Sequence, residues 1–196
     1  MKTVHGVGIN DYSGTVSHLV DGKRINKKQY TTWSGMIKRC YNKNNQEKKP
    51  TYKDCTVCDE WLFFSNFKGW MDSKDHHGKH LDKDLMVIGN KVYSPSTCLF
   101  VSPLVNAVLT NNKSTKGLLP TGVSLHSCGK FAAQISTFSK TKHLGLFTSK
   151  QEAKIAYDDA RYKYVLELAE IDDNPDISLA LINYAGKIHG VKWVGE

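Results

Sequence analysis

Apolar residues recur at helical spacing in two stretches of the first half of the chain. The first stretch, residues 30–41, carries Tyr30, Trp33, Met36, Ile37 and Cys40. The second, residues 62–70, carries Leu62, Phe63, Phe64, Phe67 and Trp70. Intervals of three and four residues place side chains on one face of a helix, so we expect two core-forming helices. The polar segment 42–49, followed by a proline, ends the first of them.

A different pattern over residues 80–109 predicts a strand, a loop, a second strand and a helix. A short apolar strand opens the segment, turn residues follow at 89–91, and the apolar run 98–101 forms the second strand. Ser102 is the expected N-cap and Pro103 the first turn of the helix after it. The first 29 residues are predicted to form an extended arm with weak strands.

The second half of the chain predicts a small sheet covered by one helix. Residues 110–120 lack periodicity and form the predicted linker. Three strands are expected at residues 122–125, 130–136 and 142–147, and a helix at 149–170 that Thr148 or Ser149 caps. A short helix and an apolar segment at 191–194 follow. The predicted fold class is therefore α+β, with a ββα core before a three-stranded antiparallel sheet packed on one helix.

Asp82 and Asp84 are candidate metal ligands in the first of these units. If both lie on the predicted strand, a separation of two residues directs both carboxylates to one face. Two like charges on one face repel each other, and a hard divalent cation between them relieves that repulsion. Mg²⁺, or Mn²⁺, is therefore the predicted cofactor.

The strings Leu-Asp-Lys-Asp, Gly-Asn-Lys, Tyr-Ser-Pro and Cys-Leu-Phe-Val within residues 81–101 resemble a group of HNH nucleases that is common in bacteriophage genomes and labelled HNH or homing endonuclease. WSGMIKRCYN, VCDEW and FSNFKGWM extend the resemblance back to residue 30. The family holds one divalent ion in a ββα-metal core. The resemblance implies a metal-dependent DNA endonuclease in which Asp82 binds the ion and Asn90, a candidate catalytic residue, falls in the loop that holds the family's central asparagine.

Two positions depart from the pattern of that family. The histidine that deprotonates the attacking water is Lys83 here, and the second metal ligand near the helix falls on Thr97. A lysine is a poor base near neutral pH unless its surroundings lower its pKa by several units. His80 is then a candidate base or metal ligand, whereas His76 and His77 are candidate bases or ordinary exposed loop residues.

These two departures at Lys83 and Thr97 favour an alternative function. It is a DNA-binding protein with a degenerate nuclease core that regulates or inhibits host defence.

A second resemblance covers residues 121–164. Gly-Val, Gly-Lys-Phe-Ala-Ala-Gln-Ile, Leu-Gly-Leu-Phe, Glu-Ala and Ala-Tyr-Asp-Asp-Ala are similar to the plant ethylene-response, or Apetala-type, DNA-binding domain. Such domains lay a three-stranded sheet in the major groove, which implies double-stranded DNA as the partner. The candidate DNA-binding residues are Ser124, His126, Lys130, Gln134, Lys140, Lys142 and His143.

The plant domains carry arginines and tryptophans on the strands that face DNA, and this chain does not. Because the arginine fork makes the strongest contact with guanine, its absence predicts weaker or different base selection. The lysines are expected to contact phosphates, and Gln134 and His126 are the remaining candidates for base contacts. The two resemblances divide the chain into an HNH-like domain with its arm at 1–112, an Apetala-type domain at 113–170 and a tail at 171–196.

Charge and cysteine content adjust this picture. The chain has 27 Lys and Arg against 19 Asp and Glu, and its net charge of +8 favours a polyanionic partner, although many basic proteins bind none. Five cysteines fit reduced thiols or a metal site better than a disulfide framework. Cys55 and Cys58 form a C-x-x-C pair that Cys40 and Cys98 would complete as a structural Zn²⁺ site, and ordinary buried thiols are the alternative.

The N-terminus lacks the apolar core of a secretion signal, and no apolar run approaches the roughly 18 residues of a membrane span. We therefore expect no membrane partner and an intracellular location, and the resemblance to phage nucleases implies the cytoplasm of an infected bacterial host. The sequence indicates no oligomeric state. A third function that the sequence leaves open is a structural zinc-knuckle protein whose charge only aids solubility.

Overall fold

The computed structural model of the chain describes residues 3–110, 119–138 and 140–188. The chain separates into two compact units, Met1–Val101 and Ser102–Glu196. The described residues form six α-helices and four small sheets, so the architecture is mixed α+β as predicted. Most of the predicted linker 110–120 and the apolar segment 191–194 lie outside the described residues. None of the described helices has both the length and the hydrophobicity that crossing a membrane requires.

The N-terminal unit contains helices α1 (Lys28–Tyr41), α2 (Lys43–Lys48) and α3 (Phe64–Asp72). Its short strands are β1 (Ser17–Val20), β2 (Lys23–Asn26), β3 (Thr56–Val57), β4 (His80–Asp82), β5 (Val92–Tyr93) and β6 (Leu99–Val101). Strands β1 and β2 form a hairpin, β3 pairs with β5 in parallel, and β4 pairs with β6 antiparallel. Helices α1 and α3 confirm the two predicted amphipathic helices.

An aromatic core joins α1 to α3. The fully buried side chains of α1 are those of Trp33, Met36 and Ile37, and those of α3 include Phe67 and Met71. The Trp33 indole donates a hydrogen bond of 2.7 Å from Nε1 to the carbonyl of Trp61, which satisfies its one polar group. The aromatic residues of this region are therefore core residues, as their helical spacing indicates, except Phe63, which is 41% exposed.

The C-terminal unit contains helices α4 (Pro103–Thr110), α5 (Lys150–Ile171) and α6 (Pro175–Ile188). Strands β7 (Val123–Leu125), β8 (Phe131–Thr137) and β9 (Lys140–Phe147) form one antiparallel sheet in that order, as predicted. Helix α4 groups with this unit, whereas the predicted boundary at residue 112 places it with the preceding strands.

Helix α5 begins where the sequence predicts. The Ser149 hydroxyl accepts a hydrogen bond of 3.1 Å from the Glu152 backbone N–H, and the Glu152 carboxylate accepts one of 3.3 Å from the Ser149 N–H. This reciprocal capping box satisfies two otherwise unpaired helix N–H groups. The buried face of α5 includes the charged residue Arg161 beside the apolar Val165. The Arg161 guanidinium donates a hydrogen bond of 2.5 Å to the Tyr184 hydroxyl on α6.

Candidate functional site

His80 and Asp82 lie on the same face of strand β4. In the antiparallel pair with β6, His80 is opposite Val101, Leu81 opposite Phe100, and Asp82 opposite Leu99. Side chains alternate along a strand and directly opposed residues share a face. Leu81 and Phe100 therefore face the aromatic core, and His80 and Asp82 lie on the other side.

Asp84 does not lie on this strand. Strand β4 ends at Asp82, and the Oδ1 atom of Asp82 accepts hydrogen bonds from the backbone N–H groups of Asp84 (2.9 Å) and Leu85 (2.7 Å). The prediction that strand geometry aligns both carboxylates is therefore wrong for Asp84. The chain turns at this point because a carboxylate that accepts backbone N–H groups two and three residues ahead stabilises a turn.

Lys83, which replaces the expected base histidine, is a buried cation. Its side chain is 6% exposed, and Nζ donates hydrogen bonds to Asp84 Oδ1 (2.6 Å) and to the backbone carbonyl of Asn90 (2.5 Å). Nζ also lies 5.9 Å from the centroid of the Tyr93 ring. An ammonium group that donates in this way holds the loop together, so this arrangement does not favour Lys83 as the catalytic base.

Asn90 and Thr97 complete this hydrogen-bond network. Asn90 Nδ2 donates to the carbonyls of Lys83 (2.9 Å) and Val92 (2.6 Å), and its Oδ1 accepts from the Val92 N–H (3.0 Å). The Thr97 hydroxyl donates to the same Val92 carbonyl (2.8 Å). We refer to Asp82, Lys83, Asp84, Asn90 and Thr97 as the loop network. The side chains of the loop network form hydrogen bonds mainly with the backbone of their own loop. These hydrogen bonds are sufficient to hold the side chains in place, and no ligand is needed to explain their positions.

His76 and His77 lie away from Asp82. Their rings stack at 4.5 Å between centroids, and the His76 ring is 5.8 Å from that of Phe100. Because Phe100 faces the opposite side of the strand pair from Asp82, His76 is not positioned to act on a group bound by Asp82. His80 is therefore the histidine that the strand places beside Asp82.

Burial raises the pKa of the Asp82 carboxyl group above its ordinary value, the charge of Asp84 raises it further, and the two backbone N–H groups oppose the shift. A raised carboxyl pKa favours the folded state while the group is protonated, and this contribution is lost as pH rises through the folded-state pKa. Asp82→Asn keeps an oxygen that accepts both N–H groups but carries no charge.

We therefore expect Asp82→Asn to gain stability relative to wild type as pH rises from below 4 toward neutrality. Urea unfolding of both proteins in a chelator at several pH values measures the difference. A free energy of unfolding of Asp82→Asn that, relative to wild type, stays constant or falls as pH rises would contradict the assigned direction of the shift. Asp82→Ala serves as the control, because it loses the turn hydrogen bonds at every pH.

The candidate zinc ligands are core thiols. Cys40, Cys55 and Cys98 are buried and Cys58 is half-buried. Burial raises the pKa of Cys40 and of Cys98 to about 12, which keeps both thiols protonated. Over residues 3–110, 119–138 and 140–188, no three His, Cys, Asp or Glu side chains are grouped as a metal site. Zn²⁺ and Mg²⁺ both stay predictions.

The three-stranded sheet has one covered and one open face. Ala133 and Ile135 of β8 are buried on the face that packs against α5. Gln134 is opposite His143 and Ser136 opposite Thr141, whose hydroxyl oxygens are 3.1 Å apart, and these residues lie on the open face.

Two lysines predicted to contact phosphates lie on the opposite face of the sheet from Gln134, which is predicted to contact bases. Lys142 is opposite Ile135 and Lys140 opposite Thr137, so both lysines belong to the helix-side face of the edge strand β9. Ser124, opposite Ala132, lies on the open face with Gln134, and His126 and Lys130 flank the β7–β8 turn. The open face is thus largely polar, although Leu146, opposite Ala132 on that face, is 41% exposed. Neither Lys140 nor Lys142 lies on it.

Comparisons of the chain with protein-family models, with curated proteins and with solved structures find no match. The candidate functions therefore depend on the residues themselves. The sequence analysis did not predict the contact between His126 and Cys128 at the β7–β8 turn. The Nδ1 atom of His126 and the Sγ atom of Cys128 are 3.0 Å apart. The H-x-C spacing just before a turn glycine is the signal that would have indicated it.

Proposed function

We propose that the chain is a phage-type HNH DNA endonuclease, which hydrolyses phosphodiester bonds with a divalent metal ion and is directed to DNA by its C-terminal sheet. The observation that carries the proposal is the placement of His80 and Asp82 on one face of β4, opposite the aromatic core. An imidazole beside a carboxylate supplies a proton acceptor next to a metal ligand. The net charge of +8 and the two sequence resemblances support DNA as the substrate.

The residues present fit a metal ion in part. Both turn hydrogen bonds to Asp82 use Oδ1, so an ion would bind through Oδ2. Asp84 is engaged with Lys83, and its side chain is 41% exposed, so it would contribute an oxygen only beside that ammonium. A bound Mg²⁺ or Mn²⁺ polarises a phosphate oxygen and stabilises the leaving oxygen. His80 is the group that would take the proton of the attacking water.

The loop network favours a second candidate function, a DNA-binding protein that does not cleave. The position of the family's base is occupied by the Lys83 ammonium, which is buried and bonded to Asp84 and to the Asn90 carbonyl. Such a protein would act by occupying DNA, as a regulator or as an inhibitor of host defence. Both candidates share the binding of double-stranded DNA, and they differ in hydrolysis.

The decisive experiment incubates the purified protein with supercoiled plasmid and Mg²⁺ or Mn²⁺ and follows nicking. We expect metal-dependent nicking by wild type and a loss of about 100-fold or more in Asp82→Asn, because a divalent ion supplies several kcal/mol of transition-state stabilisation. Asp82→Asn is the matched variant, since its amide oxygen still accepts the two turn hydrogen bonds.

Binding of a labelled DNA duplex, measured at several salt concentrations, accompanies the assay. Salt-sensitive binding by wild type without nicking supports the second candidate. Nicking that Asp82→Asn retains refutes the role of Asp82. Absence of both nicking and binding refutes both candidate functions.

A further inference from the structure

A histidine and a cysteine are held together at the turn between β7 and β8. The Gly129 N–H donates to the His126 carbonyl (2.9 Å), and the His126 N–H donates to the Lys130 carbonyl (2.8 Å). Gly129 has a φ of +81°, the left-handed conformation that this type of hairpin turn requires. The turn thereby brings His126 Nδ1 to 3.0 Å from Cys128 Sγ.

A second hydrogen bond gives the direction of this contact. The backbone N–H of Cys128 donates to the same His126 Nδ1 at 3.3 Å, so Nδ1 acts as an acceptor. The neutral imidazole then carries its proton on Nε2, and the contact with the thiol runs from Sγ–H to Nδ1. A thiol that donates its proton to an imidazole is the arrangement that activates cysteine as a nucleophile.

Cys128 also differs from the other cysteines in access. It is exposed, whereas Cys40, Cys55 and Cys98 are buried and Cys58 is half-buried. Burial raises the pKa of the Cys58 thiol, which disfavours its thiolate. Exposure together with a proton acceptor therefore distinguishes Cys128 among the five cysteines of the chain.

We propose that Cys128 is a modification site, a reactive thiol that His126 activates toward small disulfides of the glutathione class. In the exchange, the Cys128 thiol gives its proton to His126 Nδ1 and its sulfur attacks one sulfur of the disulfide. The S–S bond of the reagent breaks as the mixed disulfide on Cys128 forms. The released thiolate takes the proton from the imidazolium, so no oxidant other than the disulfide is consumed.

The test uses the folded full-length chain and an aromatic disulfide reagent that releases a coloured thiolate. We expect one fast-reacting thiol in the native protein and all five in denaturant, with the fast phase absent in Cys128→Ser. Glutathione disulfide then replaces the reagent, and peptide mapping locates the adduct. Mapping of the first adduct to another cysteine would overturn the proposal.

His126→Asn is the variant that isolates the histidine. Its side-chain oxygen still accepts the Cys128 N–H, which preserves the turn, but it does not accept a proton near neutral pH. We expect the fast phase to slow by about fivefold at pH 7, and its increase with pH to move to more alkaline values. An unchanged rate and an unchanged pH profile in this variant would refute the role of His126.

One consequence concerns the sheet and rests on the proposed function. A glutathione adduct adds negative charge at the end of a sheet proposed to bind DNA, so the modified protein should bind a duplex more weakly than the reduced one. Equal affinities of the two forms would refute this regulation. If the reduced protein binds no DNA, the proposed function fails, whereas the thiol reactivity is judged by the exchange assay alone.

Discussion

Trp33→Ala is expected to destabilise the N-terminal unit by about 3–5 kcal/mol, the range for removing a large buried aromatic side chain. The indole is 0% exposed, and its ring centroid lies 5.2 Å from that of Phe64 and 5.7 Å from that of Tyr30. The change also removes the donor to the Trp61 carbonyl, which becomes a buried acceptor without its partner. Both losses act on the same core, so the cost should be near the upper end of that range.

Hydrogen exchange followed by mass spectrometry measures this effect for each unit separately. Amides of α1 should lose protection in Trp33→Ala, while amides of α5, which belongs to the other unit, report on the C-terminal fold. Trp33→Phe is the matched control, because it keeps a ring in the core and loses the hydrogen bond, at a cost of about 1–3 kcal/mol. Wild-type protection of α1 in Trp33→Ala would show that the indole does not support this core.

Long apolar periodicity is what made the helices predictable. Helices α1, α3 and α5 each bury a face whose spacing is visible in the sequence, and the Ser149 cap is visible in the same way. Helix α2 was missed, because its residues are polar and none is buried, and the Asn42 side chain starts it by accepting the Asn45 N–H at 2.9 Å. Strands β3 and β5 were missed because two residues carry no measurable period.

Only the part of the candidate site that lies on a strand could be predicted from the sequence. The alternation of side chains along β4 places His80 beside Asp82 and could be stated from spacing alone. The loop network could not, because Lys83 is held by the Asn90 carbonyl, and the place of a backbone carbonyl seven residues away depends on the folded loop. The residues on each face of the sheet could not be predicted from spacing either, because the register of β8 and β9 shifts between Ala133 and Gln134.

The second large effect is expected at Gly122, where alanine should destabilise the C-terminal unit by about 2–4 kcal/mol. Gly122 has a φ of +77°, and a Cβ atom at this position would lie 2.0 Å from Cδ2 and 2.3 Å from Cε2 of Tyr157. Tyr157 belongs to α5 and is 6% exposed, so its ring cannot move aside without disturbing the packing of helix on sheet. The cost of Gly122→Ala is therefore the sum of two terms, the strain of a left-handed backbone at alanine and the steric overlap with Tyr157.

Gly129→Ala separates these two causes. Gly129 has nearly the same φ, +81°, but a Cβ atom there meets no described atom within 4 Å, so its alanine variant should cost only the strain of about 1–2 kcal/mol. Urea unfolding of both variants measures the difference. In a Tyr157→Ala background the overlap is absent, and adding Gly122→Ala should then cost no more than Gly129→Ala does.

Equal costs of Gly122→Ala and Gly129→Ala in the wild-type background would mean that the sheet and α5 adjust freely to one another. In that case the open face would not be held in a fixed shape by the helix behind it. A clear excess at Gly122 instead means that the close approach of β7 to α5 sets the position of the sheet. The proposed contact of Ser124, Gln134 and His143 with DNA depends on such a fixed face, so Gly122→Ala should also weaken binding of a duplex even at temperatures where the variant stays folded.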